Sequence, residues 1–89
     1  MEVLRLRTEG LLWSEVGDEV VLLDITSTTY FTATGAAPFL LEHLAEGATE
    51  ESLTQRLIER YEVTPDTAKA DVAEFIEQLK DHHMLEHTE

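Results

Sequence analysis

Two apolar runs separated by a short polar segment constrain this chain more than any other feature. Val20-Val21-Leu22-Leu23 and Thr29-Tyr30-Phe31-Thr32 are rich in aliphatic, β-branched and aromatic residues, and Asp24 to Thr28 between them is polar enough to turn. The pattern predicts a β-hairpin whose second strand runs over Thr28, Thr29, Tyr30, Phe31, Thr32 and Ala33. If that strand is the last of its sheet, one row of backbone N–H and C=O groups has no partner within the sheet. Such a row can template another extended chain.

Around this hairpin the remaining elements follow in order. Val3-Leu4-Arg5-Leu6-Arg7 alternates apolar and charged residues, which suits a short edge strand or an ordered arm. Leu11 to Val16 reads as a first strand of the sheet, and Gly17-Asp18 is a turn signal before the strand Glu19 to Asp24. A sheet this small needs a cover for its apolar face.

Three helices supply the cover. The first is expected to start near Thr34 or Gly35, because Pro38 is tolerated only in a first turn; Phe39, Leu40 and Leu44 form its inward stripe, and Gly47 closes it. Thr49 caps the second, with Glu50 and Glu51 complementing the helix dipole and Leu53, Leu57, Ile58 and Tyr61 following at helical spacing. Thr64, Pro65 and Asp66 open the third, Val63 is placed to staple onto Ala68, and Ala68, Val72, Phe75, Ile76 and Leu79 make its stripe. Met84-Leu85 then fold back over the end of the core. The expected fold class is α+β, a three-stranded antiparallel sheet followed by three helices, in a single domain spanning residues 1–89 with its core over about residues 11–86.

Charge and composition narrow the functions. Six Lys and Arg against nineteen Asp and Glu give a net charge of −13, which repels nucleic acid and anionic membranes and favours a basic or neutral partner; it also serves solubility. No apolar run approaches the ~20 residues of a membrane span, and the start lacks a signal-peptide layout, so a cytoplasmic protein is expected. The absence of cysteine excludes disulfides, thiolate metal sites and a cysteine nucleophile. Ser14, Ser27 and Ser52 lack the context of a nucleophile elbow, and there is no Gly-rich phosphate loop. His83 and His87 have the four-residue spacing of a metal pair on a helix, but without a cysteine or a dense set of carboxylates they read as a polar tail. No catalytic residue, metal site or cofactor is therefore expected.

The ordered combination of these features resembles the pyrroloquinoline-quinone biosynthesis protein D family. It rests on Leu22-Leu23-Asp24 before Thr28-Thr29-Tyr30-Phe31, on Ala36-Ala37 at a helix start, and on Leu44 ahead of Gly47. The later half agrees, with Leu53 to Tyr61, then Val63-Thr64-Pro65, then Asp71-Val72 and Phe75-Ile76 to Leu79. The resemblance implies a winged helix-turn-helix-like domain that recognises the leader segment of ribosomally made, post-translationally modified peptides. The leader would add as a strand beside the third strand, in a groove walled by the third helix. A free-standing version of this size looks most like the leader-binding proteins of lasso-peptide pathways. There the partners would be the precursor peptide, a leader peptidase and a macrolactam-forming cyclase, and the leader would present a Tyr and a Pro as anchors. The family commonly has Asn at the first-helix cap where this chain has Ala33 between Thr32 and Thr34, so a threonine is expected to cap.

In such a site main-chain hydrogen bonds contribute about 0.5–1.5 kcal/mol each, so specificity must come from side-chain pockets. Ala68, Asp71, Val72 and Phe75 are the candidates for the wall, although the spacing of Val72 and Phe75 favours ordinary core over wall. Tyr30 and Phe31 fall on opposite faces of their strand, and alternation alone leaves open which one meets the groove. A winged-helix DNA-binding regulator would share the fold, but Arg56, Arg60, Lys69 and Lys80 are sparse for a recognition surface. A generic interaction adaptor, and a homodimer formed through the open edge, stay open at this point.

Overall fold

The computed structural model describes residues 2–88. The elements run β1 (Val3–Leu6), β2 (Leu11–Val16), β3 (Glu19–Asp24), β4 (Thr29–Ala33), α1 (Ala37–Glu46), α2 (Glu50–Arg60), α3 (Pro65–Asp81) and β5 (Leu85–Thr88). β2, β3 and β4 pair antiparallel in that order, so β3 is central and β4 is an edge. This is the expected α+β order of sheet followed by three helices. Strand alternation places Val20, Leu22 and Asp24 on the inner face, all nearly without solvent, and the helices cover them with Leu40, Leu44, Leu53, Val72 and Leu79.

The helix starts follow their capping chemistry. Thr49 accepts a hydrogen bond from the Ser52 N–H at 3.0 Å, and Ser52 Oγ accepts one from the Thr49 N–H at 3.1 Å, a reciprocal cap in which serine takes the place more often held by Glu. Thr64 caps α3 through the Thr67 N–H at 3.2 Å, and Pro65 opens that helix. α1 departs from expectation. Its N-cap is Ala36, which has no side-chain acceptor, and the Ala37 N–H bonds the Thr34 carbonyl at 3.1 Å instead. A backbone turn thus replaces the expected threonine cap, and Pro38 sits in the first turn. Leu41 joins Leu40 and Leu44 in the buried stripe, while Phe39 is only half-buried.

The alternation at Val3 to Leu6 does form a strand, but its partner, in a second sheet, is a segment that no local pattern specifies. β1 pairs antiparallel with β5, Val3 opposite Thr88 and Leu6 opposite Leu85. On its other side Leu4 exchanges hydrogen bonds with Ala48, 2.7 Å and 2.8 Å. Ala48 follows Gly47, whose φ of +104° is strained for any residue with a side chain, and a Cβ there would press on the Arg5 guanidinium at 3.1 Å. Leu4, Leu6 and Met84 are buried beneath this ribbon. Because α3 ends at Asp81 and His87 lies in β5, the helical spacing read for His83 and His87 does not exist.

Asp24 closes the β3–β4 turn and ties it to the N-terminal segment. Its Oδ2 meets Arg7 Nη2 at 2.6 Å, and its Oδ1 accepts from the N–H groups of Thr26 and Ser27 at 3.0 and 3.4 Å. Burial works against the carboxylate's charge, but the Arg7 guanidinium and the turn N–H groups outweigh it and hold the pKa below the usual value. A carboxylate with a depressed folded pKa adds stability above its unfolded pKa and loses it as pH falls through the folded value. Thermal melts should therefore show Asp24→Asn less stable than wild type at pH 7, with the gap closing as pH falls below about 4, the unfolded aspartate pKa. A gap independent of pH would show that the charge of Asp24 contributes nothing.

Candidate functional site

The site is built from the free edge of β4 and the elements beyond it. The Ile25 N–H bonds the Gly10 carbonyl at 3.0 Å, so at that position β3 faces β2. Hydrogen-bonding direction alternates along an antiparallel strand, so Asp24, Leu22 and Val20 face β4. Their partners Thr29, Phe31 and Ala33 are thereby bonded inward. Tyr30 and Thr32 present their N–H and C=O groups at the open edge.

Side chains divide the other way. Phe31 and Ala33 lie on the inner face, and Tyr30 lies on the outer face, 66% exposed. This resolves the choice that alternation left open: Phe31 is the aromatic that meets the helix. Its ring lies 6.0 Å from that of Phe75 and 5.5 Å, edge to face, from His82 at the end of α3. His82 Nδ1 is 2.8 Å from the Gln78 carbonyl, and since a carbonyl only accepts, Nδ1 carries the proton.

Beyond Ala33 the edge leads into an apolar cavity of about 480 Å³, lined by Gly35, Ala37, Leu57, Tyr61, Asp71 and Phe75 among others. Tyr61 is held there by a stack in which Phe39 meets its ring at 6.0 Å and the Arg60 guanidinium lies within 6 Å of both rings. Phe31, at the middle of β4, thus packs on the C-terminal half of α3, and the cavity two residues past the strand's end reaches Asp71 nearer that helix's start. A larger recess of about 800 Å³ opens near Thr49, Glu50, Gln55 and Lys69, but its lining is polar and no strand edge borders it.

The expected site residues fall into three groups. Thr29, Tyr30, Phe31, Thr32, Ala33, Asp71 and Phe75 lie along the edge or the cavity. Thr28 lies in the turn with φ +54°, outside β4, so the strand begins one residue later than its composition predicts. Ala68 and Val72 have no exposed surface and are core, not wall. Gly35, Tyr61, Val63 and His82 were not among the expected residues. Tyr61, with a ring at the end of an amphipathic helix, carried the one local signal; the others are brought in by the turn of the chain.

With this geometry in place, the comparisons are direct. The family model described as coenzyme PQQ synthesis protein D (PqqD) matches residues 19–85. The structure resembles that of TbiB1 in complex with the TbiA(beta) leader peptide, with TM-score 0.82 and 26% identity over 92% of this chain and 94% of that one. It also resembles a lasso peptide synthetase B1 complexed with the leader peptide, with TM-score 0.81 and 28% identity over 93% and 96%. Among curated protein sequences there is no match.

The two aromatic neighbours in β4 should behave differently when truncated. In urea melts Tyr30→Ala should change stability by no more than about 0.5 kcal/mol, whereas Phe31→Ala should cost about 1–3 kcal/mol, below the 3–5 of a fully buried ring. Equal effects would contradict the facing assigned here.

Proposed function

The chain belongs to the coenzyme PQQ synthesis protein D family, and from that membership we propose that it binds the leader segment of a ribosomally made precursor peptide as a strand added to β4. The observation that carries this reading is an edge strand followed, two residues past its end, by an apolar cavity between helices. Two solved relatives held with leader peptides, similar over more than nine-tenths of each chain, support it.

The mechanism follows from the parity of the edge. The free N–H and C=O groups of Tyr30 and Thr32 bond the incoming backbone, each bond contributing about 0.5–1.5 kcal/mol regardless of sequence. Residues of the added strand opposite Phe31 and Ala33 then point toward α3. One of them fills the space bounded by Phe75, Tyr61 and Asp71 with an aromatic or proline anchor. Such burial adds roughly 1.5–3 kcal/mol and supplies the selection. Asp71 at the cavity mouth favours a basic residue nearby.

The protein then acts without catalysis of its own. It holds the precursor for a leader peptidase and a macrolactam-forming cyclase in the cytoplasm, raising the local concentration of their substrate. A net charge of −13 and the sparse basic residues argue against the DNA-binding alternative.

The test is an NMR titration of labelled protein with the leader peptide encoded beside its gene. Shifts are expected in Thr29 to Ala33, the Asp71 to Phe75 face and His82. Thr32→Pro removes an outward N–H and should weaken binding about tenfold with little change in melting temperature, since proline is tolerated at an edge. Thr29→Pro instead breaks the ladder to β3 and should lower the melting temperature. Undiminished affinity in Thr32→Pro would sink strand addition at this edge.

A further inference from the structure

β4 is one edge of the sheet and β2 is the other. The Ile25 N–H bonds the Gly10 carbonyl, so Leu23, Val21 and Glu19 face β2, and their partners Leu12, Ser14 and Val16 are bonded inward. Trp13 and Glu15 therefore turn their N–H and C=O groups to the open side. Leu11 does so too, but its N–H bonds the Thr8 carbonyl at 3.4 Å, and that turn closes the edge where the chain enters the strand. Trp13 pairs with buried Leu22 on the inner face, yet it is 38% exposed, and its indole N–H has no hydrogen-bond partner among the described residues. On the outer face Leu12 begins an apolar row that runs through Leu23 to Tyr30, and Val16 at the other end of β2 is 59% exposed.

The segment Leu12-Trp13-Ser14-Glu15-Val16 is its own complement. An isologous contact sets one surface against itself about a two-fold axis, and an antiparallel pair of identical strands meets that condition. Outward N–H and C=O groups must meet other outward groups, so the axis passes through a residue and not between two. With the axis at Ser14, Trp13 lies opposite Glu15 of the second copy as a hydrogen-bonded pair, and the symmetric pair repeats it. Leu12 then meets Val16 on the outer face, the Ser14 hydroxyls meet at the axis, and the Trp13 rings are diagonal neighbours within reach of each other. Each Glu15 carboxylate comes beside the indole N–H that lacks an acceptor. An axis at Trp13 would drive the second strand into the turn at Thr8 and Leu11, and an axis at Glu15 would oppose like charges. An inward-pointing charge on an edge strand ordinarily keeps other strands away. Glu15 serves that purpose against apolar partners and is satisfied in the one register that offers it an indole, so it selects this chain's own strand.

We propose that β2 pairs with β2 of a second copy about an axis at Ser14, joining two sheets edge to edge and leaving a β4 edge free at each end. Each copy carries a net charge of −13, which opposes the contact and keeps the dimer weak, so added salt should strengthen it. Trp13 is the chain's one tryptophan, so intrinsic fluorescence reports the contact directly. From low micromolar to near-millimolar concentration, sedimentation equilibrium should show monomer passing to dimer, with the emission moving to the blue in step. Glu15→Pro removes an outward N–H at an edge, where proline is tolerated, and should weaken the dimer about tenfold or more. Where Glu15→Pro lowers the melting temperature, Ser14→Lys, which sets two ammonium groups against each other at the axis, replaces it with the same expectation. Thr32→Pro, on the far edge, should leave the dimer unchanged. A monomer at every concentration overturns the proposal. So does a dimer that the β2 variant leaves intact, or one that Thr32→Pro abolishes, which would place the contact at β4.

Discussion

The register of the β3–β4 hairpin is the constraint on which the rest depends, and a carboxylate with almost no solvent closes its turn. Asp24 ends β3, accepts the N–H groups of the turn and is pinned from the N-terminal side by Arg7. A strand slipped by one residue would turn every side chain to the opposite face. Phe31 would then leave Phe75 and His82 for water, and Tyr30 would be driven toward the core. The free N–H and C=O groups would also move to different residues, so this one register settles the core, the Phe31 contact with α3 and the open edge together.

The edge strand consequently serves three surfaces at once. Its inward bonds hold it to β3, its inner side chains complete the groove, and its outer side chains complete the apolar row. A peptide strand added beyond it inherits the same division, with alternate residues facing α3 and the outer face. Edges of this sort are commonly protected by charge, proline or a covering element. β4 carries none of these within Thr29–Ala33, and its exposure is consistent with a strand kept open for use.

Much of this was legible in the sequence because it is written in local chemistry. Thr49 and Thr64 announced their helices, and the Ala68-Val72-Phe75-Ile76-Leu79 stripe is buried as its spacing requires. The hairpin was legible from composition, though Thr28 was assigned to the strand because a left-handed residue in a turn leaves no mark on a threonine. Ala68 and Val72 were placed on the groove wall because a stripe defines a helix face without its depth. The β1–β5 ribbon, the α1 cap made by backbone and the placement of Tyr61 and His82 depend on where distant segments meet. No window of a dozen residues contains that information.

The ribbon has a mechanical consequence. Val3 lies opposite Thr88, so a force drawing those two residues apart acts across the tip of the ladder and opens it one pair at a time, without shearing several pairs together. The layer over Leu4, Leu6 and Met84 would peel away first, baring the core while the hairpin and its turn were still closed.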